Sequence, residues 1–264
     1  MAEYIDITLD ISEEEFSGVQ VKCIAADLEI SRSEDKFAHI ICRNVPEGSF
    51  VQAENGKLVA EVKRPKVTDM IFKNPFKASS CRISLPAKQY DSFTADIAMG
   101  NSSICDVGCD SAEINSGSGN LNISRTAALK DMRINSGAGQ VIMDNTECGE
   151  LKIKTGAGNI TVNDVNIRNE TNIEGGAGDI TIDRLESGML RIRSGTGNIR
   201  AKGTASGLDI QGGIGNTRFE GSVCGDIDVR GGIGNIDLVL DEKSRSEHRL
   251  KTTHGIGKVN IEYI

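Results

Sequence analysis

The sequence repeats a Gly-x-Gly doublet eight times between Gly117 and Gly257, with 18 to 20 residues from one doublet to the next until a last gap of 23. A fixed period of this length is typical of proteins built from stacked structural repeats. One repeat of this size cannot bury its own apolar face, so neighbouring repeats must share a continuous core. The doublets begin at Gly117, Gly137, Gly156, Gly176, Gly195, Gly213, Gly232 and Gly255.

The residues around each doublet have the pattern of a strand, a turn and a second strand. An apolar β-branched residue stands three places before the first glycine in seven of the eight copies, and alternating apolar and polar residues follow the second glycine, as in Asn159-Ile-Thr-Val162. This alternation on both sides of a glycine turn predicts β-strands. We therefore predict an all-β fold, a parallel β-solenoid with rungs of about 19 residues. The predicted inward column is Ile114, Ile134, Ile153, Ile173, Ile192, Ile210 and Val229.

Two further columns are predicted at the glycine corner. A short polar residue follows the second glycine in most copies, and we expect these side chains to form a hydrogen-bonded ladder along the stack: Asn120, Asn159, Asn198, Asn216 and Asn235. The residue between the glycines changes from Ser118 to isoleucine at Ile214, Ile233 and Ile256. Inward isoleucines would fill a widening corner, whereas outward ones would form an apolar stripe available to a partner. Inward filling is the favoured interpretation.

The period is lost in the first third of the chain. This loss predicts an irregular β cap, 1–93, followed by regular solenoid repeats, 94–264, in one continuous body. Asn55-Gly56 predicts a turn in the cap, and four stretches have the composition of strands: Phe37–Arg43, Phe50–Ala53, Leu58–Val62 and Cys81–Leu85. The segment 65–80 is interpreted as a plug over the open core or as a contact loop for a membrane surface or protein, with the plug favoured. Its apolar residues are Met70, Ile71, Phe72 and Phe76.

Composition argues against several classes of partner. The net charge of −8 disfavours binding to a phosphate backbone, and an aromatic content of 4% disfavours a platform for stacked bases, so we expect no nucleic-acid partner. The N-terminus alternates as a strand does, so we expect no signal peptide, and because no apolar stretch is long enough we expect no integral membrane segment. The last strand, 258–264, offers an edge to another copy, so a homo-oligomer through strand edges or solenoid ends is anticipated.

The seven cysteines are odd in number and scattered, which suits buried free thiols in a reducing compartment. Cys109, Cys148 and Cys224 take the same place in their rungs, five residues before the inward Ile or Val, and are expected to be buried alike. The sequence as given therefore indicates a cytoplasmic protein, or one at the cell envelope or surface if a leader has been removed.

The motifs predict no catalytic residue, no cofactor and no metal site. The doublets lack the third glycine and the following helix of a dinucleotide-binding loop, and the three histidines are not at metal-ligand spacing. Charges on the outward positions alternate in sign from rung to rung, as in an exposed sheet with cross-strand ion pairs. One group of them forms the candidate ligand face, for an anionic glycan: Lys152, Lys154, Glu174, Arg191 and Arg193.

The repeated Ile-x-(Ser/Thr/Gly)-Gly-x-Gly-(Asn/Asp)-Ile-x-(Ile/Val) and the Ile83-Ser-Leu85-Pro86 step before the first regular rung resemble the bacterial "putative adhesin" β-strand-repeat domains of unknown function. The resemblance spans about Phe16 to Ile261. It implies a right-handed β-solenoid and an adhesin-like role near the cell envelope, and it supplies no catalytic residues to transfer. We therefore predict a non-enzymatic scaffold or binding protein with a glycan or protein partner. The alternative is a polysaccharide lyase or hydrolase on the same architecture, which would need a groove with converging carboxylates.

Overall fold

The computed structural model of the protein describes residues 4–64, 78–245 and 249–264. In these residues the regular structure is β-strand, apart from two short 3₁₀ helices, Glu13–Glu15 and Glu242–Arg245. The chain divides into two compact units, Met1–Leu129 and Lys130–Ile264. The fold is an all-β solenoid with rungs of about 19 residues, so the predicted fold class is confirmed. The predicted division at residue 93 stays a prediction.

The first unit contains eleven strands and the start of a twelfth, β12 (Ala127–Ala138), which includes the boundary. The eleven are β1 (Tyr4–Ser12), β2 (Gly18–Cys23), β3 (Asp27–Arg32), β4 (Phe37–Pro46), β5 (Phe50–Glu54), β6 (Lys57–Val62), β7 (Ser80–Leu85), β8 (Gln89–Met99), β9 (Ser102–Cys105), β10 (Gly108–Ser118) and β11 (Leu121–Ser124).

Parallel and antiparallel pairing are mixed in this first unit. Strand β2 pairs in parallel with β6 and β8, and β3 pairs in parallel with β7 and β9. Antiparallel pairs join β1 to β4, β4 to β7, and β5 to β6. All four strands predicted here are present, and the predicted turn at Asn55 and Gly56 has positive φ at both residues, 52° and 73°, as a tight hairpin requires. The predicted contact loop, Met70, Ile71, Phe72 and Phe76, lies outside the described residues.

The second unit is regular. Its strands are β13 (Val141–Ala157), β14 (Ile160–Ala177), β15 (Ile180–Thr196), β16 (Ile199–Ile214), β17 (Thr217–Val223), β18 (Ile227–Ile233), β19 (Ile236–Leu240), β20 (Leu250–Ile256) and β21 (Val259–Tyr263). Each long strand pairs in parallel with its successor from β13 to β16. Strand β16 then pairs with both β17 and β18, and these continue to β19 and β20.

The inward column lies in register as predicted. Ile153 pairs with Ile173, and Ile173 with Ile192, so identical side chains stack from rung to rung. All seven residues predicted for this column are fully buried. At about 25 cal/mol per Å² of apolar surface removed from water, this shared core is the main stabilising contribution of each rung.

The glycine corner is set by close backbone stacking as well as by φ. The second glycine of a doublet has positive φ, 131° at Gly158, which side chains rarely tolerate. The first glycine does not, yet a Cβ at Gly156 would lie 2.6 Å from the carbonyl oxygen of Gly137 in the neighbouring rung. Glycine is therefore needed at both places because consecutive corners leave no room for a side chain between them.

The predicted polar ladder is present. The side-chain oxygen of Asn159 accepts a hydrogen bond from the backbone N–H of Asp179 at 3.0 Å, and Asp179 accepts in turn from Asn198 at 2.7 Å. The same contact continues from Asn198 to Asn216 and from Asn216 to Asn235. Each bond needs only an acceptor oxygen, which explains why aspartate and asparagine are equivalent in this column.

The cysteines are less uniform than predicted. Cys109 and Cys148 are buried, but Cys224 is exposed, so the expectation for Cys224 was wrong. The reason is the shortness of strand β17, which ends at the buried Val223. Alternate residues face opposite sides, so the next side chain, that of Cys224, points into solvent.

Candidate functional site

The parallel register brings the five predicted ligand-face residues onto three neighbouring rungs. Lys152 pairs with Asn172 and Asn172 with Arg191, which forms one outward column. The second column, two residues further along each strand, consists of Lys154, Glu174 and Arg193. We call these two columns together the charged face.

Ion pairs cross the charged face between rungs. Lys154 Nζ lies 2.8 Å from Glu174 Oε2, and this hydrogen bond lowers the pKa of Glu174, against a smaller opposing effect of partial burial. Arg191 pairs with Glu170, which raises the pKa of the arginine. The Lys154–Glu174 pair agrees with the alternating signs in the sequence. Both partners are partly exposed, so each pair contributes at most about 1 kcal/mol to stability.

A shallow groove of about 240 Å³ opens beside the first column. It is lined by Asp131, Met132, Arg133, Glu150, Leu151, Lys152, Glu170 and Asn172. The Oδ1 atom of Asn172 is buried and has no hydrogen-bond partner within the described residues. The residue as a whole is half-buried and lines the groove, so the rest of its side-chain amide can hydrogen-bond to a hydroxyl group of a ligand.

Four charged groove residues were missed by sequence reasoning: Asp131, Arg133, Glu150 and Glu170. The predicted outward columns begin at Lys152 and contain only positions directly beside the inward isoleucines, so they leave out Arg133 on the preceding rung and the carboxylates further from the column. Glu150 and Glu170 each stand three residues before such an isoleucine, and the register pairs them with each other. Alignment of successive rungs at this third position could have found them.

The residues between the glycines face outward at the last three doublets. Ile214, Ile233 and Ile256 are 55%, 50% and 68% exposed. The favoured prediction that they fill the corner is wrong, because the backbone turns around the core there and the middle residue lies on its convex side. Ile214 pairs with Ile233 and Ile233 with Ile256, so the three side chains form one apolar ridge. We call this the isoleucine ridge.

The described residues contain no group of three His, Cys, Asp or Glu side chains arranged to hold a metal ion. Within the same ranges, no helix has the length and apolar character needed to cross a membrane.

Stacked parallel strands, glycine corners and a polar ladder along those corners define a β-solenoid of the repeat-protein class. The chain belongs to the Toastrack DUF4097 family, whose model matches residues 16–263. The resemblance inferred from the repeats is thereby confirmed.

Solved structures similar to this chain include proteins named as adhesins. A putative adhesin from Parabacteroides distasonis is similar with a TM-score of 0.50 at 17% identity, over 99% of this chain and 98% of that one. A putative adhesin from Bacteroides fragilis has a TM-score of 0.49 at 16% identity, over 98% and 97%. At 17% identity the likeness to the Parabacteroides distasonis structure shows the fold alone. No curated protein matches the chain.

Proposed function

We propose that the protein is a non-enzymatic, adhesin-like binding scaffold whose ligand is an acidic glycan held at the charged face. The observation that carries this proposal is the groove beside Lys152 and Asn172. Lysine and arginine at its rim would pair with a sugar carboxylate, and the side-chain amide of Asn172, which lines the groove, would hydrogen-bond to a sugar hydroxyl. At about 240 Å³ the groove is smaller than most drug-sized pockets, which suits one unit of a longer chain.

A binding screen against neutral and acidic glycans tests this proposal. Wild-type protein should bind uronate-containing or sulfated glycans, and the double variant Lys152→Glu, Arg193→Glu should lose at least tenfold in affinity. The matched control is Arg200→Glu, an exposed cation on a different outward column of the same unit, which should bind like wild type. Absence of binding to every acidic glycan, or equal loss in the control, would contradict the proposal.

A carbohydrate-active enzyme is the second candidate, because three carboxyl groups line the same groove. Two of them have cationic partners: Asp131 pairs with Arg133 at 3.1 Å, and Glu170 pairs with Arg191. A general acid must instead hold a proton, which requires surroundings that disfavour the charged form. This arrangement supports binding over catalysis, and release of shortened products from a bound glycan would reverse that preference.

A protein partner is proposed for the isoleucine ridge, namely a second copy of this chain. The ridge carries no charge, and a two-fold axis at Ile233 would place Ile214 of one copy against Ile256 of the other. Light scattering after size-exclusion chromatography should show a dimer that Ile233→Asp converts to monomer. A monomer at all concentrations would remove this part of the proposal.

A further inference from the structure

Three cysteines from three different strands meet in the core of the first unit. Cys23 ends β2, Cys42 lies in β4, and Cys81 follows the first residue of β7. Their exposed fractions are 0%, 0% and 1%. The Cys81 thiol interacts with the thiols of both Cys23 and Cys42. The candidate site gives these thiols no role.

The strand register selects one pair among the three. Cys42 and Cys81 are direct partners in the antiparallel pairing of β4 with β7. Residues opposed in this way have Cα atoms about 4.5–5.5 Å apart, inside the range of about 4.4–6.8 Å that a disulfide spans. Cys23 is placed differently, because its register partners are Val62 and Ile97.

We propose that Cys42 and Cys81 are a disulfide-forming pair, oxidised when the chain folds in the presence of a small-molecule disulfide. The Cys42 thiolate attacks one sulfur of that disulfide and releases one small thiol, which leaves a mixed disulfide on Cys42. The Cys81 thiolate then attacks the Cys42 sulfur, forms the Cys42–Cys81 bond and releases the second small thiol. Two protein thiols are thereby oxidised and one small disulfide is reduced to two thiols.

Burial determines when this exchange can take place. A small disulfide cannot reach thiols that are 0% and 1% exposed, so the folded protein should react slowly. The contacts with Cys23 and then Cys42, together with burial, raise the pKa of Cys81, which keeps it a thiol in the folded reduced state. The bond must therefore form during folding, while both sulfurs are still accessible.

The bond would join two differently paired parts of the unit. Strand β4 pairs antiparallel with β1, whereas β7 pairs in parallel with β3. The closed loop from Cys42 to Cys81 has about 40 residues, and cross-links over loops of this length restrict the unfolded chain appreciably. Oxidation should raise the midpoint of thermal unfolding by roughly 5–10 °C.

The test is oxidative refolding followed by mapping of the thiols. Protein carrying Cys105→Ser and Cys224→Ser, which removes the two cysteines that are not buried, is unfolded in guanidinium and refolded with oxidised and reduced glutathione. Alkylation and mass spectrometry should show two thiols lost, with Cys42 and Cys81 joined in one peptide pair. Cys23→Ala should keep the bond, and both Cys42→Ala and Cys81→Ala should abolish it.

Three results would overturn the proposal: full alkylation of all five remaining thiols, a Cys23–Cys81 bond in place of the expected one, or a bond formed as fast in the folded protein as during refolding. Mapping of the Cys105→Ser, Cys224→Ser background decides between the pairs even if a core alanine variant does not fold. Circular dichroism on each variant separates loss of folding from loss of the bond.

Discussion

Each of the two units is stabilised internally by a different kind of contact. In the second unit, from Lys130 to Ile264, the stabilising contacts repeat in columns: buried isoleucines, stacked glycine corners and a polar ladder. In the first unit antiparallel strands interrupt the parallel stack, and contacts made by single side chains stabilise the irregular parts. Lys88 is the clearest case, since its ammonium group donates to the backbone carbonyls of Glu13 and Phe16 and lies 4.3 Å from the centre of the Phe16 ring.

This difference teaches where each unit tolerates change. Backbone spacing sets the position of each residue in a column. A substitution that disturbs one rung therefore also destabilises the adjacent rung, whatever the chemistry of the new side chain. A contact made by a single side chain depends on the chemistry of that one residue, so one substitution can remove it without disturbing its neighbours.

The largest effect is expected for Gly158→Ala in the second unit. The residue has φ of 131°, and a Cβ would lie 2.0 Å from the carbonyl oxygen of Gly139. Urea unfolding followed by circular dichroism should show a loss of about 3–5 kcal/mol in the free energy of unfolding. The control, Gly48→Ala in the first unit, also has positive φ, 84°, but has open space around it, so it should lose only about 1 kcal/mol. Equal losses would show that close stacking is not the cause.

A smaller loss, about 2 kcal/mol, is expected for Lys88→Met in the first unit. Methionine keeps the packing of the side-chain stem but leaves the carbonyls of Glu13 and Phe16 without their donor. Differential scanning calorimetry measures the change. Lys22→Met, an exposed substitution of the same kind, should change stability by less than about 0.5 kcal/mol. If the two variants lose the same amount of stability, the Lys88 hydrogen bonds do not stabilise the first unit.

Thr155→Val in the second unit is expected to stabilise, by about 1 kcal/mol. Its hydroxyl is buried and has no hydrogen-bond partner among the described residues, so an isosteric methyl group removes a desolvated polar atom. The matched control is Thr146→Val. The buried Thr146 hydroxyl donates to the carbonyl of Asp144 at 3.1 Å, so this variant should lose about 1 kcal/mol of stability. Urea midpoints that shift in the same direction for both variants would contradict this reasoning.

The smallest effect, below about 1 kcal/mol, is a pH dependence in the first unit. The hydrogen bond to Asp10 at 2.7 Å is the main cause that raises the pKa of His39, with Asp35 at 3.0 Å adding to it and partial burial opposing it. The folded pKa then lies above the unfolded value of about 6.5. The stabilisation is therefore fully present below pH 6.5 and is lost as pH rises through the folded pKa.

Denaturant midpoints between pH 5 and pH 9 test this dependence. The wild type should lose more stability than His39→Gln as pH rises over that range. If the stability difference between wild type and His39→Gln is constant with pH, His39 is not the source of the dependence. The same holds if the variant gains stability relative to wild type as pH falls.

The regular part of the fold could be predicted from the sequence because the repeat carries its own register. Ile153, Ile173 and Ile192 occupy one place in the period, and parallel stacking leaves them no alternative but to coincide. The groove could not be predicted in the same way. It depends on Glu150 and Glu170, which follow a shift in the register between rungs, so counting forward along a rung does not align them. Only counting back from Ile153 and Ile173 places them at the same position.

The sequence by itself determined the stacked repeat, the residues that stack inside it and the need for glycine at its corner, since a period with an apolar β-branched residue at a fixed place permits little else. Only the tertiary structure decided which way Ile214, Ile233 and Ile256 face and that Cys42 and Cys81 meet. The direction in which a corner side chain points depends on how the backbone turns around the core. Contact between cysteines far apart in sequence depends on strand pairing, which no local pattern encodes.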